Sequence, residues 1–128
     1  MSELHAVAHK MVEKGKGILA ADESTPTCTK RFASINTDST AESRNFYRNM
    51  LFTTEDIEKY ISGVILFDET FHQSELSTGI KFPEYLTSKN ILPGIKVDQV
   101  LEDFSPYDKL TKGLDGLSER LGKYYALG

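Results

Sequence analysis

Three short apolar runs, each preceded by glycine and followed by aspartate, constrain the fold of this chain more than any other feature. They are Gly17–Asp22, Gly63–Asp68 and Gly94–Asp98, with helical patterns between them. Strands that alternate with helices favour a parallel sheet. The intervals are uneven, roughly 46 and then 31 residues, which indicates successive βα units and not a solenoid repeat. Continuous apolar runs are typical of parallel strands covered on both faces, so we predict an α/β fold with fully buried strands.

Helical patterns lie before, between and after the three runs. Ser39–Glu42 has the sequence of a capping box at the start of a helix. In this motif the side chain of the first residue accepts from the backbone amide of the fourth, and the side chain of the fourth accepts from the amide of the first. Ser2 is a candidate N-cap of the first helix. The other amphipathic patterns cover Leu4–Val12, Pro83–Ser88 and Leu114–Tyr125.

The segment Gln99–Lys112 is polar and has no clear periodicity, so we predict a loop there. No linker or low-complexity tract interrupts the chain. We therefore expect residues 1–128 to be part of a single domain without an internal boundary.

Composition excludes several classes of function. The net charge of −4 gives no electrostatic attraction for nucleic acid or an anionic membrane. No apolar stretch approaches the roughly 20 residues that span a bilayer, and the first residues do not resemble a secretory signal. The single cysteine, Cys28, cannot form an internal disulfide, which fits a reducing compartment. We expect a soluble cytoplasmic protein without nucleic-acid or membrane partners.

Polar residues follow each apolar run and are candidates for a functional site. In α/β barrels and in open parallel sheets, the chemistry lies at the carboxyl ends of the strands. For most of these residues helix capping is the competing interpretation. The candidates are Asp22, Asp68, Glu69, Lys96 and Asp98.

Lys96 differs from the others because it interrupts the apolar run Ile95–Val97. Burying an unpaired ammonium group is very costly, so a lysine in a covered strand points into a lumen or cleft. Its expected partners are carboxylates at neighbouring strand ends or a substrate phosphate. The alternative is an edge lysine that protects the sheet against aggregation.

Other polar residues give weaker signals. Lys30 and Arg31 follow the first strand by about two helical turns and are candidates either for phosphate binding or for a solvated helix face. His5, His9 and His72 lack the spacing of a metal site, and Cys28 is more typical of an inert thiol than of a reactive one.

The segment Gly15–Ser24 (GKGILAADES) resembles the first-strand signature of class I (Schiff-base) fructose-bisphosphate aldolases. Further blocks follow in family order and at close to family spacing along nearly the whole chain. They are Lys30–Arg31, Arg44–Arg48, Ile61–Phe67 with Glu69–Thr70, Pro93–Asp98, Gly113–Arg120 and Tyr124–Tyr125.

The resemblance implies that the chain forms the first three βα units of a (β/α)8 TIM barrel, which is incomplete here because such a barrel needs about 250 residues. The implied reaction is the reversible cleavage of fructose 1,6-bisphosphate to dihydroxyacetone phosphate and glyceraldehyde 3-phosphate. A lysine forms a Schiff base with the ketose, and the reaction needs no metal and no cofactor. The implied partners are a sugar phosphate and three further copies in a homotetramer.

Site residues are assigned by their match to the family motifs. Asp22 corresponds to the aspartate that assists the iminium chemistry, and Lys96 to a lysine that lies against it and helps to hold the substrate. Ser24, Thr27 and Arg31 match positions near the carbon-six phosphate. Arg44 matches another arginine associated with phosphate binding.

The sequence departs from the family in three places. Gln99–Val100 replaces the usual lysine–glycine pair, and Asp68 stands where histidine is common. The family's Schiff-base lysine lies beyond Gly128, so we expect the isolated chain to be inactive and marginally folded. The alternative is a non-catalytic, truncated aldolase-like module for interaction or phosphate binding, but the retention of Asp22 and Lys96 favours an enzyme.

Overall fold

Three parallel strands form the sheet of the first of two compact units in this chain. The computed structural model describes residues 2–127, and the units are Met1–Ile95 and Lys96–Gly128. The strands are β1 (Gly17–Ala21), β2 (Ile61–Leu66) and β3 (Leu92–Ile95), in the order β1-β2-β3. The predicted parallel α/β sheet is confirmed.

The register of the sheet brings the carboxyl ends of the strands to one edge. Ala21 pairs with Leu66, and Leu66 pairs with Ile95. The polar residues that follow these positions in the sequence therefore begin at the same edge. Gly94 lets β2 and β3 approach closely, because a Cβ atom there would lie 3.2 Å from the carbonyl oxygen of Val64.

Five α-helices and one 3-10 turn complete the first unit, and two of the helices, Thr25–Ala33 and Asp68–His72, were not predicted. Ser24 is the N-cap of the first of these and Pro26 lies in its first turn, where proline is compatible with helix geometry. The helices are α1 (Glu3–Met11), α2 (Thr25–Ala33), α3 (Ala41–Phe52), α4 (Asp68–His72) and α5 (Phe82–Ser88), with the turn at Ile57–Lys59. Among residues 2–127, none of the helices combines the length and apolar character needed to cross a bilayer.

The capping box of α3 lies one residue later than the sequence predicted. Thr40 is the N-cap, and its hydroxyl oxygen accepts from the Ser43 amide at 3.1 Å. The Ser43 hydroxyl oxygen accepts in return from the Thr40 amide at 2.9 Å. Ser39 accepts instead from the Arg44 guanidinium at 3.1 Å, so it is not available as the cap.

The core of the first unit lies around β2 and not around β1. Val64 is 1% exposed and Leu66 is fully buried, and Phe52 packs edge-to-face on Phe82 with ring centroids 5.1 Å apart. Ile18 of β1, by contrast, is 45% exposed. The prediction that every strand is fully buried is therefore wrong for β1. It is also wrong for β3, whose four residues are all half-buried; both are terminal strands of this sheet with one neighbour.

The second unit contains a β-hairpin where the sequence predicted a loop. Strands β4 (Leu101–Asp103) and β5 (Lys109–Thr111) pair antiparallel, and α6 (Leu117–Ala126) follows. Asp103 lies opposite Lys109, with their charged atoms 2.7 Å apart, and such cross-strand pairs stabilise a sheet. Strands of three exposed residues are too short to show a period-2 pattern, so the loop predicted for Gln99–Lys112 is wrong.

Candidate active site

Acidic side chains follow β1 and β2 at the carboxyl edge of the sheet. Asp22 and Glu23 come directly after β1 and are both half-buried. Asp68 and Glu69 open α4 after β2, where a negative charge is favoured by the first turn of a helix. The prediction that these two residues cap the helix is wrong, because among the described residues Phe67 is the N-cap and no side chain makes a capping hydrogen bond there. Glu69 takes part instead in a specific ion pair described below.

Glu23 is the centre of the charged network at the end of β1. Its carboxylate accepts from Arg31 of α2 and, at 3.3 Å, from the Tyr47 hydroxyl of α3. The Nη1 atom of Arg48 lies 2.8 Å from the other carboxylate oxygen, and Arg48 Nη2 donates to the main-chain carbonyl of Glu23 at 2.8 Å. One side chain after β1 thus joins two helices to the strand end.

The charge of Glu23 is stabilised despite its partial burial. Burial by itself raises the pKa of this carboxyl group. A hydrogen bond from its own backbone amide and the positive charges of Arg48 and Arg31 outweigh burial, so the pKa lies below its ordinary value. Glu23 is therefore an anion that accepts hydrogen bonds and not a proton donor at neutral pH.

Two hydroxyl groups lie together at the start of α2. The oxygens of Ser24 and Thr27 are 3.2 Å apart, and the Ser24 side chain makes no capping hydrogen bond to the helix. Both hydroxyls lie at the positive end of a nine-residue helix, an environment that favours anions. The structure thus brings together two of the predicted phosphate-binding residues, while Arg31, one turn later, pairs with Glu23.

Arg44 forms a two-point ion pair with Glu69. Its Nε and Nη2 atoms each donate to one carboxylate oxygen at 2.7 Å. Its Nη1 donates to the carbonyl and hydroxyl oxygens of Ser39 at 2.8 and 3.1 Å. Every guanidinium nitrogen of Arg44 is therefore engaged with the protein, and its predicted role in phosphate binding stays a prediction.

Lys96 and Asp98 lie together at the start of the second unit. The Lys96 side chain is 22% exposed and its ammonium group pairs with the Asp98 carboxylate. The hydrogen bond from Lys96 lowers the pKa of Asp98 and outweighs the opposing effect of burial. Within residues 2–127, no three His, Cys, Asp or Glu side chains are grouped so that they could hold a metal ion.

Sequence reasoning missed Glu23, Tyr47 and Arg48. The sequence pattern favours Asp22 over Glu23 as the functional acid after β1. It places Tyr47 and Arg48 in the family block Arg44–Arg48 without giving either a role. The signal that could have found Arg48 is its place among apolar residues of an amphipathic helix, because a buried arginine requires a carboxylate partner. Glu23, which lies between Asp22 and Ser24 in the sequence, was the carboxylate nearest to the predicted site that had not been given a role.

Comparison with known proteins decides the family. A family model described as fructose-bisphosphate aldolase class-I matches residues 3–128. The chain belongs to the class-I fructose-bisphosphate aldolase family. This aldolase chain is 52% identical over 128 residues to fructose-bisphosphate aldolase 1 of Toxoplasma gondii, with 98% of the chain and 35% of the relative covered. It is 48% identical over 130 residues to a probable class 1 aldolase of Xanthomonas axonopodis, with 100% of the chain and 39% of the relative covered.

The fold of this aldolase chain also matches a solved structure. A Plasmodium falciparum fructose-bisphosphate aldolase, crystallised with TRAP and a small-molecule inhibitor, superimposes with a TM-score of 0.91 at 49% identity. The match covers 98% of this chain and 37% of that one. The prediction of three βα units from an aldolase TIM barrel is confirmed. The chain spans 35–39% of the length of these relatives.

Proposed function

We propose that this chain supplies the first three strand ends of a fructose-bisphosphate aldolase active site. The complete enzyme cleaves fructose 1,6-bisphosphate reversibly to dihydroxyacetone phosphate and glyceraldehyde 3-phosphate. A lysine outside these 128 residues attacks the ketose carbonyl, and the resulting iminium withdraws electrons from the bond that breaks. The observation that carries the proposal is the family match over residues 3–128, with Asp22 and Lys96 retained directly after two strands.

In this proposal Asp22 and Lys96 have complementary charges and different roles. Asp22 moves protons during formation and hydrolysis of the iminium. Lys96 holds the substrate, and its half-buried ammonium group supports this role because partial burial strengthens an electrostatic contact.

The carbon-six phosphate binds at the start of α2. Ser24 and Thr27 offer hydroxyl donors, the N-terminal amides of the helix point toward the same place, and Arg31 adds positive charge from the next turn. Arg44 is assigned to phosphate binding by its motif alone. The protein requires no metal or other cofactor.

The wider properties of the enzyme are proposed from the family. We infer a cytoplasmic homotetramer in which residues 1–128 belong to one barrel domain. The isolated chain, without the Schiff-base lysine, is expected to be inactive.

A chimera tests the function. This chain replaces the matching residues of the Toxoplasma gondii aldolase, with which it shares 52% identity, to give a complete barrel. We expect cleavage of fructose 1,6-bisphosphate, and an adduct trapped by borohydride, for the chimera but not for the isolated chain. Asp22→Asn should lower kcat by about 10²–10⁴-fold, the usual contribution of general acid–base catalysis.

Lys96→Met should lower kcat/KM by roughly 10²-fold, because one charge contact to the substrate is lost. Lys59→Met is the matched control, since Lys59 is an exposed lysine that pairs with Asp56 and precedes β2, away from the carboxyl end of that strand. A folded chimera without activity would favour the non-catalytic module. An adduct trapped on Lys96 of the isolated chain would identify Lys96 as the nucleophile. It would refute the assignment of Lys96 to substrate binding.

A further inference from the structure

Arg48 is a charged residue in an environment where charge is costly. It is 2% exposed and lies on α3, one turn after Arg44. A guanidinium so deeply buried is tolerated only when it is paired and hydrogen-bonded. Among the described residues, its Nε and Nη1 atoms have no hydrogen-bond partner. The compensation comes from the Nη2 hydrogen bond to the Glu23 carbonyl and from the negative charge of the Glu23 carboxylate, 2.8 Å from Nη1.

The two contacts of Arg48 fix a particular peptide group. Nη2 donates to the Glu23 carbonyl at 2.8 Å, and Nη1 lies 2.8 Å from a Glu23 carboxylate oxygen. The thiol of Cys28 donates to the same carbonyl at 3.7 Å. That carbonyl belongs to the peptide between Glu23 and Ser24. Its orientation therefore sets the backbone from which the Ser24 side chain extends.

We propose that Arg48 is a positioning residue for the carbon-six phosphate: by holding the carbonyl and the carboxylate of Glu23 together, it sets the Ser24–Thr27 hydroxyl pair for the anion. Arg48 itself does not touch the substrate. The inference rests on the proposed function, because it assigns a determinant to the phosphate site of the same reaction. Lysine cannot replace this arginine, since its single ammonium nitrogen cannot both donate to the carbonyl and lie against the carboxylate as two guanidinium nitrogens do.

Two substrates distinguish positioning from a structural role. Fructose 1-phosphate lacks the carbon-six phosphate, whereas fructose 1,6-bisphosphate has it. In the full-barrel chimera, Arg48→Lys should raise KM for the bisphosphate about tenfold, the size expected for losing one charge-assisted hydrogen bond to an anion. KM for fructose 1-phosphate should change less than about twofold, within the range of a neutral substitution.

Phe52→Leu provides the matched control. Phe52 is on the same helix, is fully buried and packs on Phe82, so its truncation lowers stability without touching Glu23. Both KM values should stay at the wild-type level in this variant. If Arg48→Lys shifts KM for both substrates equally, or shifts neither, or only reproduces the Phe52→Leu result, the inference is overturned.

A second variant covers the possibility that Arg48→Lys does not fold. Glu23→Gln keeps the shape and one acceptor oxygen but removes the charge that holds Arg48. It should raise KM selectively for the bisphosphate. Where both variants fold, the double variant Glu23→Gln/Arg48→Lys should have a KM for the bisphosphate no higher than that of the single variant with the higher KM. An unselective Glu23→Gln effect would overturn the inference. If the chimera is active and the variants leave the ratio of the two KM values unchanged, only the positioning role of Arg48 is refuted. If the folded chimera without these substitutions is inactive, the proposed function is refuted and this inference with it.

Discussion

The arginines of α3 differ in what surrounds them, although both are paired with a glutamate. Arg48 is almost fully buried on Glu23, whereas Arg44 and Glu69 are each partly exposed. The contacts of Arg44 occupy all three guanidinium nitrogens in the described structure. A phosphate-binding role for Arg44 therefore requires that substrate compete with Glu69.

Replacing each partner of this pair separates the two roles of Arg44. Arg44→Lys and Glu69→Gln both break the two-point contact, and each should lower the free energy of unfolding of the chimera by about 1–2 kcal/mol. Only Arg44→Lys removes a phosphate-binding group, so only this variant should raise KM for fructose 1,6-bisphosphate. Equal KM values for the two variants in steady-state assays would leave Arg44 with the ion pair as its sole role.

Glu75 is a buried carboxylate whose charge is held by its own loop. The Ser77 and Thr78 amides and hydroxyls donate to it at 2.6–3.0 Å. The hydrogen bond from the Thr78 hydroxyl is the largest influence, and together these donors lower the pKa of Glu75 from 4.5 to about 2. A depressed folded-state pKa contributes stability above pH 4.5 that is lost as the pH falls toward about 2.

Thr78→Val should reduce this pH-dependent stability. At pH 7 the variant should melt at a lower temperature than the wild-type chimera. The difference should narrow between pH 4.5 and about 2, where Glu75 becomes protonated in both folded states. Thr87→Val removes a hydroxyl that donates to Pro83 instead, so its effect should not vary over this pH range. A constant Thr78→Val difference in thermal melts would contradict the assigned pKa.

At the scale of elements, the second unit depends on one glycine between β5 and α6. Gly113 has φ +141°, and a Cβ atom there would lie 2.7 Å from the Val97 carbonyl oxygen. Arg120 of α6 donates to that same oxygen at 3.1 Å and to the Gly113 carbonyl at 2.6 Å. The close approach of the two chain segments therefore leaves no room for a side chain.

Two glycine-to-alanine substitutions in this unit should have opposite signs. Gly113→Ala should destabilise the chimera by roughly 1–3 kcal/mol, because it combines backbone strain with a steric clash. Gly122→Ala should stabilise it by about 0.5–1 kcal/mol, since Gly122 lies inside α6 with open space around it. Differential melting of the two variants measures both effects. A neutral Gly113→Ala variant would show that the segment can relax away from Val97.

For the molecule as a whole, the sequence predicted the elements that have a long hydrophobic period and missed those that do not. The three strands and α1, α3, α5 and α6 follow from apolar spacing and capping residues. The β4–β5 hairpin depends on cross-strand pairing of exposed residues, which a linear pattern does not show. The exposure of β1 depends on which neighbours cover it, a tertiary property absent from the run itself.

In the candidate site, too, the sequence indicates the residues that follow a local pattern and misses those that depend on tertiary contacts. Asp22 and Lys96 could be proposed from the sequence because each follows a strand, and their shared site stays a prediction. The Glu23–Arg48 contact could not be proposed in this way, because it joins residues 25 positions apart whose pairing depends on the packing of α3. Charged residues that contact the residues of a site, and not its ligand, have no periodic pattern in the sequence by which they could be found.

Helix α3 has a consequence for the order in which the nascent chain gains structure. Its Arg48 reaches back 25 residues to the end of β1, and its Arg44 reaches forward 25 residues to the end of β2. Both links have short sequence separation, which favours rapid formation. As synthesis proceeds from the N-terminus, the first link can close before β2 leaves the ribosome. The ends of β1 and β2 would then each be bound to α3 before the next βα unit has been translated. The βα units can therefore fold one after another during synthesis.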